Sequence, residues 1–226
     1  MPPTDRLVPR FPAEPPQEGF PYGRWAETLR AEFLEACLRA AAEEELDVGE
    51  PTDIVWFPDR TWEARTWIPA TARTTTGVEL FGHVSFRPAT EDEEADEFEA
   101  HAEATDILAE DHPDWRIDVS DHVIGDWRGE HGNVADMTVA WGVPLVQGGA
   151  IVCAELGGVT VDQCVLLEDR FTLIAPDAYR QDTLEVALYD ARGRELARES
   201  LYAEDDEDEE TADLGDASSN GAGSEA

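Results

Sequence analysis

The chain has 226 residues, of which 52 are acidic and 16 are basic, and its formal net charge is −36. This charge repels phosphate, so a protein that binds DNA or RNA through the nucleic-acid backbone is excluded, and an anionic membrane surface is disfavoured. No apolar run approaches the roughly 20 residues that a membrane-spanning helix needs. The first residues are rich in proline and charge, unlike a signal peptide, so we expect a cytoplasmic protein.

Composition divides the chain into three parts. Residues 1–22 hold half of the 14 prolines and predict an extended arm, because proline fixes φ and removes a backbone donor. Residues 204–226 combine ten acids with Ser, Gly and Ala, which predicts a disordered acidic tail. Residues 23–203 predict a single β-rich domain. Its three cysteines include no CxxC pair, so we expect no disulfide framework.

The first predicted element is an amphipathic helix from Gly23 to Leu46. Its apolar residues recur every four positions and charged residues occupy the other faces. Gly49 and Pro51 supply the signal that ends the helix. The apolar stripe is formed by Trp25, Leu29, Phe33, Cys37 and Ala41.

Strands are predicted after this helix. Residues 64–73 and 78–86 flank the turn 74–77, which indicates a β-hairpin. Pro69 cannot donate to a sheet ladder, so the first strand of this hairpin is predicted at a sheet edge or a bulge. The next segment, 91–111, carries eleven acids and no arginine. A capping-box pattern at Thr90 predicts an acidic helix or a linker there.

The sequence pattern of the rest of the domain predicts short strands. The clearest signal is Gly157-Gly158, a two-residue turn that predicts a hairpin with Leu156 opposite Val159. Strict alternation would then place Asp162 and Cys164 on the outer face. We therefore predict an α+β, mostly β fold: an antiparallel β-sandwich or barrel with a docked N-terminal helix and a second, peripheral acidic helix.

Aromatic residues and arginines alternate between residues 56 and 67, a composition typical of protein interfaces. The main functional hypothesis is a non-enzymatic interaction domain that binds an unidentified protein partner and needs no cofactor. The competing interpretation is that the tryptophans fill the core and the arginines neutralise nearby acids. The predicted binding surface consists of Trp56, Arg60, Trp62, Arg65 and Trp67.

The alternative function is a metal-dependent enzyme, because two imidazoles and four carboxylates fall within residues 118–131. The spacing matches no structural zinc pattern, and the glycines of this segment indicate a loop. The candidate ligands of a divalent metal are Asp118, Asp121, His122, Asp126, Glu130 and His131.

Other chemistry has little support in the sequence. No GxSxG, GxGxxG or Walker A motif occurs, and the chain has no lysine. Sixteen arginines without lysine fit a GC-rich source as well as a halophilic one. The acidic tail would suit a basic partner, an argument from composition alone. Oligomeric state is not indicated by any pattern.

Overall fold

The computed structural model describes residues 20–21, 23–43, 47–128, 134–179 and 182–202. Nearly all of the predicted proline-rich arm and the whole predicted acidic tail lie outside the described residues. The described part is mostly β, with antiparallel sheets and one N-terminal α-helix, as predicted.

In the described part of the chain, the helix α1 spans Gly23–Glu43 and twelve strands follow it. Their bounds are β1 Pro51–Trp56, β2 Arg60–Trp62, β3 Arg65–Thr74, β4 Glu79–Arg87, β5 Asp96–Thr105, β6 Ile117–Arg128, β7 Val134–Pro144, β8 Ile151–Leu156, β9 Val159–Val165, β10 Phe171–Asp177, β11 Leu184–Tyr189 and β12 Glu195–Ser200.

The strands form three antiparallel sheets. The first has the order β1-β3-β4-β5, with β2 paired to β3; the second is β10-β7-β6 and the third is β12-β11-β8-β9. Among the described residues these sheets do not close into a barrel, so the sandwich is the better of the two predicted architectures. No helix among the described residues is both long enough and apolar enough to cross a membrane.

The helix and the three sheets form four layers. Side chains alternate between the two faces of each strand, so a sheet can pack against a neighbour on both sides. The apolar stripe of α1, with Leu29 and Phe33, packs against Ile68 and Val84 on one face of the first sheet. The opposite face of that sheet meets the second sheet around Trp141. The remaining face of the second sheet packs on the third, and this interface is the largest apolar cluster.

The predicted second helix in 91–111 is wrong. The segment contains the edge strand β5 and then a short 3₁₀ turn, Ala109–Asp111. Its alanines and Phe98 point toward α1, and its acids and His101 occupy the other face. This is a period of two rather than a helical period. The hydroxyl of Thr90 does accept the backbone N–H of Glu93, but the chain continues as a bend.

Pro69 lies in an internal strand, so its predicted edge or bulge position is wrong. Strand β3 pairs with β4 on one side. On its other side β1 ends opposite Ala70 and β2 begins opposite Trp67. Pro69 falls in the gap between these two short strands, where its carbonyl accepts the N–H of Phe57. The missing proline donor therefore costs no ladder hydrogen bond.

The hairpin of β8 and β9 is confirmed with Leu156 opposite Val159, but its predicted faces are only partly correct. A bulge shifts the register, so that Glu155 pairs with Thr160 and Ala154 with Asp162. Beyond the bulge each residue of β9 lies on the face opposite to the predicted one. Asp162 consequently turns inward, where it forms a buried ion pair with Arg60.

Candidate functional site

Three histidines and one glutamate meet where the first sheet faces the second. His83 of β4 and His101 of β5 are directly opposite each other across the strand pair. Glu103 lies two residues further along β5 and therefore on the same face. His122 belongs to β6, an edge strand of the second sheet. We call these four residues the histidine cluster.

The ligand atoms of the outer three residues converge. One donor atom each from His101, Glu103 and His122 lies within 4.8 Å of the others. Glu103 Oε1 is 3.0 Å from His101 Nε2 and 3.9 Å from His122 Nδ1. The two imidazole rings are stacked, with centroids 3.7 Å apart. All three side chains retain partial contact with solvent, so a small ion can reach them.

His83 is the innermost member of the cluster and is only 6% exposed. Neither of its ring nitrogens has a hydrogen-bond partner among the described residues. Its centroid is 5.1 Å from that of His122 and 5.9 Å from that of His101. Because buried polar atoms are nearly always hydrogen-bonded, an imidazole left in this state calls for an explanation.

The surroundings of His83 and His122 favour the neutral form of both imidazoles. Burial, followed by the charges of His122, His101 and Arg65, lowers the pKa of His83 to about 3. Burial and His101 also lower the pKa of His122, against the opposing effect of Glu103. A neutral imidazole has a free lone pair, which is the form that binds metal ions.

A glycine allows β4 and β5 to approach closely beside the cluster. A Cβ atom on Gly82 would lie 2.7 Å from the Cα of Ala102 and would also collide with the carbonyl oxygen of His101. Any larger residue at position 82 would therefore push the two strands apart. His83 follows Gly82 directly on β4 and lies opposite His101 on the closely approaching strand β5.

Of the metal ligands predicted in 118–131, the structure places those that it describes at different positions and does not bring them together. His122 alone belongs to the histidine cluster. Asp118 lies four residues before His122 on β6, near Arg73. Asp121 alternates to the other face, where burial, Asp177 and Glu103 raise its pKa to about 6. Asp126 is exposed and pairs with a residue of β7. The remaining predicted ligands, Glu130 and His131, lie outside the described residues.

Sequence reasoning missed His83, His101 and Glu103. The available signal was the spacing of His101 and Glu103, since residues i and i+2 share one face of a strand. That spacing carries no meaning in a helix, where residues two apart do not face each other. Because this segment is predicted to be a helix, the shared face of His101 and Glu103 is not recognised from the sequence.

Of the predicted binding surface, Trp67 and Arg60 are buried. Trp56 packs beside Phe33 of the helix and Trp62 beside Trp67, with ring centroids 6.0 and 6.1 Å apart. Arg65 forms an ion pair with Glu99 at 2.9 Å. The aromatic residues thus serve mainly in packing. A partner-binding role for the partly exposed Trp56, Trp62 and Arg65 stays a prediction.

The cysteines do not form a nucleophilic site. Cys37, Cys153 and Cys164 are all free thiols. Burial raises the pKa of Cys37 and of Cys164 to about 12, and burial followed by Glu155 raises that of Cys153. Because the thiolate is the reactive form, these groups are unreactive at neutral pH.

The chain matches no known family model, no curated protein and no solved structure. What the histidine cluster can bind therefore follows from its donor atoms. Imidazole nitrogen together with carboxylate oxygen suits Zn²⁺ and the neighbouring divalent transition metals, whereas Mg²⁺ and Ca²⁺ prefer oxygen alone.

Proposed function

We propose that this protein binds a divalent transition-metal ion through His101, Glu103 and His122. The observation that carries the proposal is the convergence of two imidazoles and one carboxylate, from strands of two different sheets, within 4.8 Å. Two histidines and one carboxylate form a recurrent ligand set for zinc and for non-haem iron.

The distances are close to those of a bound ion. Around Zn²⁺ with bonds of about 2.0–2.1 Å, neighbouring donor atoms lie about 3.3 Å apart. The two nitrogen–oxygen distances at Glu103 are 3.0 and 3.9 Å. Small side-chain movements, with the stacked rings of His101 and His122 turning apart, would therefore bring the donors to bonding positions.

The charge of the chain favours the same ligand. A net charge of −36 concentrates cations near the surface and raises their association rate. The ion would join β5 of the first sheet to β6 of the second, two strands that share no backbone ladder. A ligand that binds only the folded state adds to its stability by mass action.

Metal affinity and stoichiometry test the proposal. Wild-type protein dialysed against Zn²⁺, with excess Mg²⁺ present to occupy exposed carboxylates, is expected to retain one zinc per chain in elemental analysis. His122→Ala and Glu103→Gln each remove one ligand. We expect either change to weaken affinity at least about 100-fold, since loss of even a supporting partner of a ligand costs 10–100-fold.

The chain offers a matched control for this experiment. His112 stacks on Trp115, with ring centroids 4.5 Å apart, and lies outside the histidine cluster. His112→Ala should leave both affinity and stoichiometry unchanged. If His122→Ala bound zinc as tightly as His112→Ala, or if the wild type retained none, the proposed function would be wrong. The contact between His101 and Glu103 would then be an ordinary hydrogen bond.

A further inference from the structure

Resting on this proposed function, we infer that His83 is the fourth ligand and that the ion occupies a closed tetrahedral site of three imidazoles and one carboxylate. A shell of four protein ligands favours Zn²⁺ and leaves no position for a substrate or an activated water. The metal would then link the two sheets and would not act as a catalytic centre.

The first support is the unsatisfied state of His83. Its ring is buried against the other imidazoles, and both nitrogens lack a hydrogen bond among the described residues. Leaving a buried polar atom unpaired destabilises the folded state. A metal bond would supply a partner for one of the two ring nitrogens.

The second support is the ring spacing. With Zn–N bonds of about 2.0–2.1 Å and tetrahedral angles, the centroids of two coordinated imidazoles lie about 5 Å apart. The centroid of His83 is 5.1 Å from His122 and 5.9 Å from His101, already near this spacing. The pair His101 and His122, at 3.7 Å, is too close and must open on binding.

The strands explain which ligands can move. β5 and β6 are edge strands, and the side chains of His101 and His122 are partly exposed, so both rings have room to turn. His83 lies on β4, which is flanked by β3 and β5 and buried on both faces. It would supply the fixed inner ligand onto which the outer side chains close.

The position of His83 also decides between a closed and an open site. With only His101, Glu103 and His122 bound, the ion would keep at least one exchangeable position, as hydrolytic zinc sites do. His83 lies deeper between the sheets than these three partly exposed side chains, so its imidazole would approach the ion from the buried side. Coordination by His83 would complete the shell.

Cobalt substitution tests this inference. Tetrahedral Co²⁺ absorbs strongly in the visible range, whereas five- or six-coordinate Co²⁺ absorbs weakly. We expect the wild-type Co²⁺ protein to show the strong spectrum and to be unaffected by added azide, which binds only at an open position. His83→Phe keeps a ring of similar size without a donor; its Co²⁺ spectrum should change and should respond to azide.

Ser85→Ala is the matched control, because Ser85 lies on the same face of β4 two residues away and its hydroxyl accepts a hydrogen bond from Arg65. It should retain the wild-type spectrum. A weak or azide-sensitive wild-type spectrum would overturn the closed site without any variant. An unchanged spectrum in His83→Phe, or in His83→Leu if the Phe variant does not fold, would also overturn it. Failure of wild-type protein to bind Co²⁺ at all would instead count against the proposed function.

Discussion

Replacing Asp162 by alanine is expected to lower the free energy of unfolding by about 3–5 kcal/mol, because it leaves a buried guanidinium without its counter-charge. Arg60 is 2% exposed, and both carboxylate oxygens of Asp162 lie against it. Oδ2 of Asp162 also accepts the backbone N–H of Ile174 at 2.9 Å.

The size of this effect follows from what the carboxylate connects. Arg60 belongs to β2 of the first sheet, Asp162 to β9 of the third and Ile174 to β10 of the second. One side chain therefore holds all three sheets together. The bulge in β9 makes this possible, because without it Asp162 would face outward.

Urea denaturation of a small set of variants tests this account. The double variant Arg60→Met/Asp162→Leu removes both charges and should lose less stability than Asp162→Ala alone, since no unpaired charge stays buried. Glu110→Ala, which breaks the exposed ion pair with Arg73, should cost no more than about 1 kcal/mol. Equal losses in Asp162→Ala and Glu110→Ala would contradict a structural role for the buried pair.

Acidification of the metal-free protein is expected to destabilise it through His83. The pKa of His83 is about 3 in the folded state and 6.5 in an unperturbed side chain. Between these values the unfolded chain binds the extra proton, so stability falls as pH drops from about 6.5 towards 3. One such group contributes a slope of up to about 1.4 kcal/mol per pH unit.

Comparison with His83→Phe isolates this contribution, because other groups titrate in the same range. Asp121 has the opposite sign: its raised pKa, about 6, adds stability that is complete below 3.8 and is lost as pH rises through 6. It is present in both proteins and cancels in their difference. With a chelator present, the free energy of unfolding is measured at pH 7 and pH 4. Between these values it should fall more for the wild type than for His83→Phe. A difference that is independent of pH would refute the buried neutral imidazole.

Local sequence patterns were sufficient for much of the fold. The four-residue apolar period of α1 and the Gly157-Gly158 turn both depend on neighbours in sequence, and both predictions are confirmed. Strand β5 was mistaken for a helix because its acids dominate its composition. Its alanines alternate with charged residues, a weak signal beside eleven acids in the segment.

The candidate site depended on contacts that sequence proximity does not reveal. His122 was singled out because carboxylates are dense around it, yet of those predicted ligands that the structure describes none joins it in the cluster. Its neighbours His83 and His101 come from a different sheet, and they meet it only because two sheets stack face to face. The bulge that turns Asp162 inward likewise has no signature in the residues around it.

The most direct test of metal binding is a residue-resolved titration. In ¹H–¹⁵N spectra of the imidazole nitrogens, one equivalent of Zn²⁺ should shift the signals of His83, His101 and His122 together and in slow exchange, while those of His112 stay in place. Signals that move gradually and do not saturate at one equivalent of zinc, or changes that involve His112 as much as the cluster, would contradict a specific metal site between the first and second sheets.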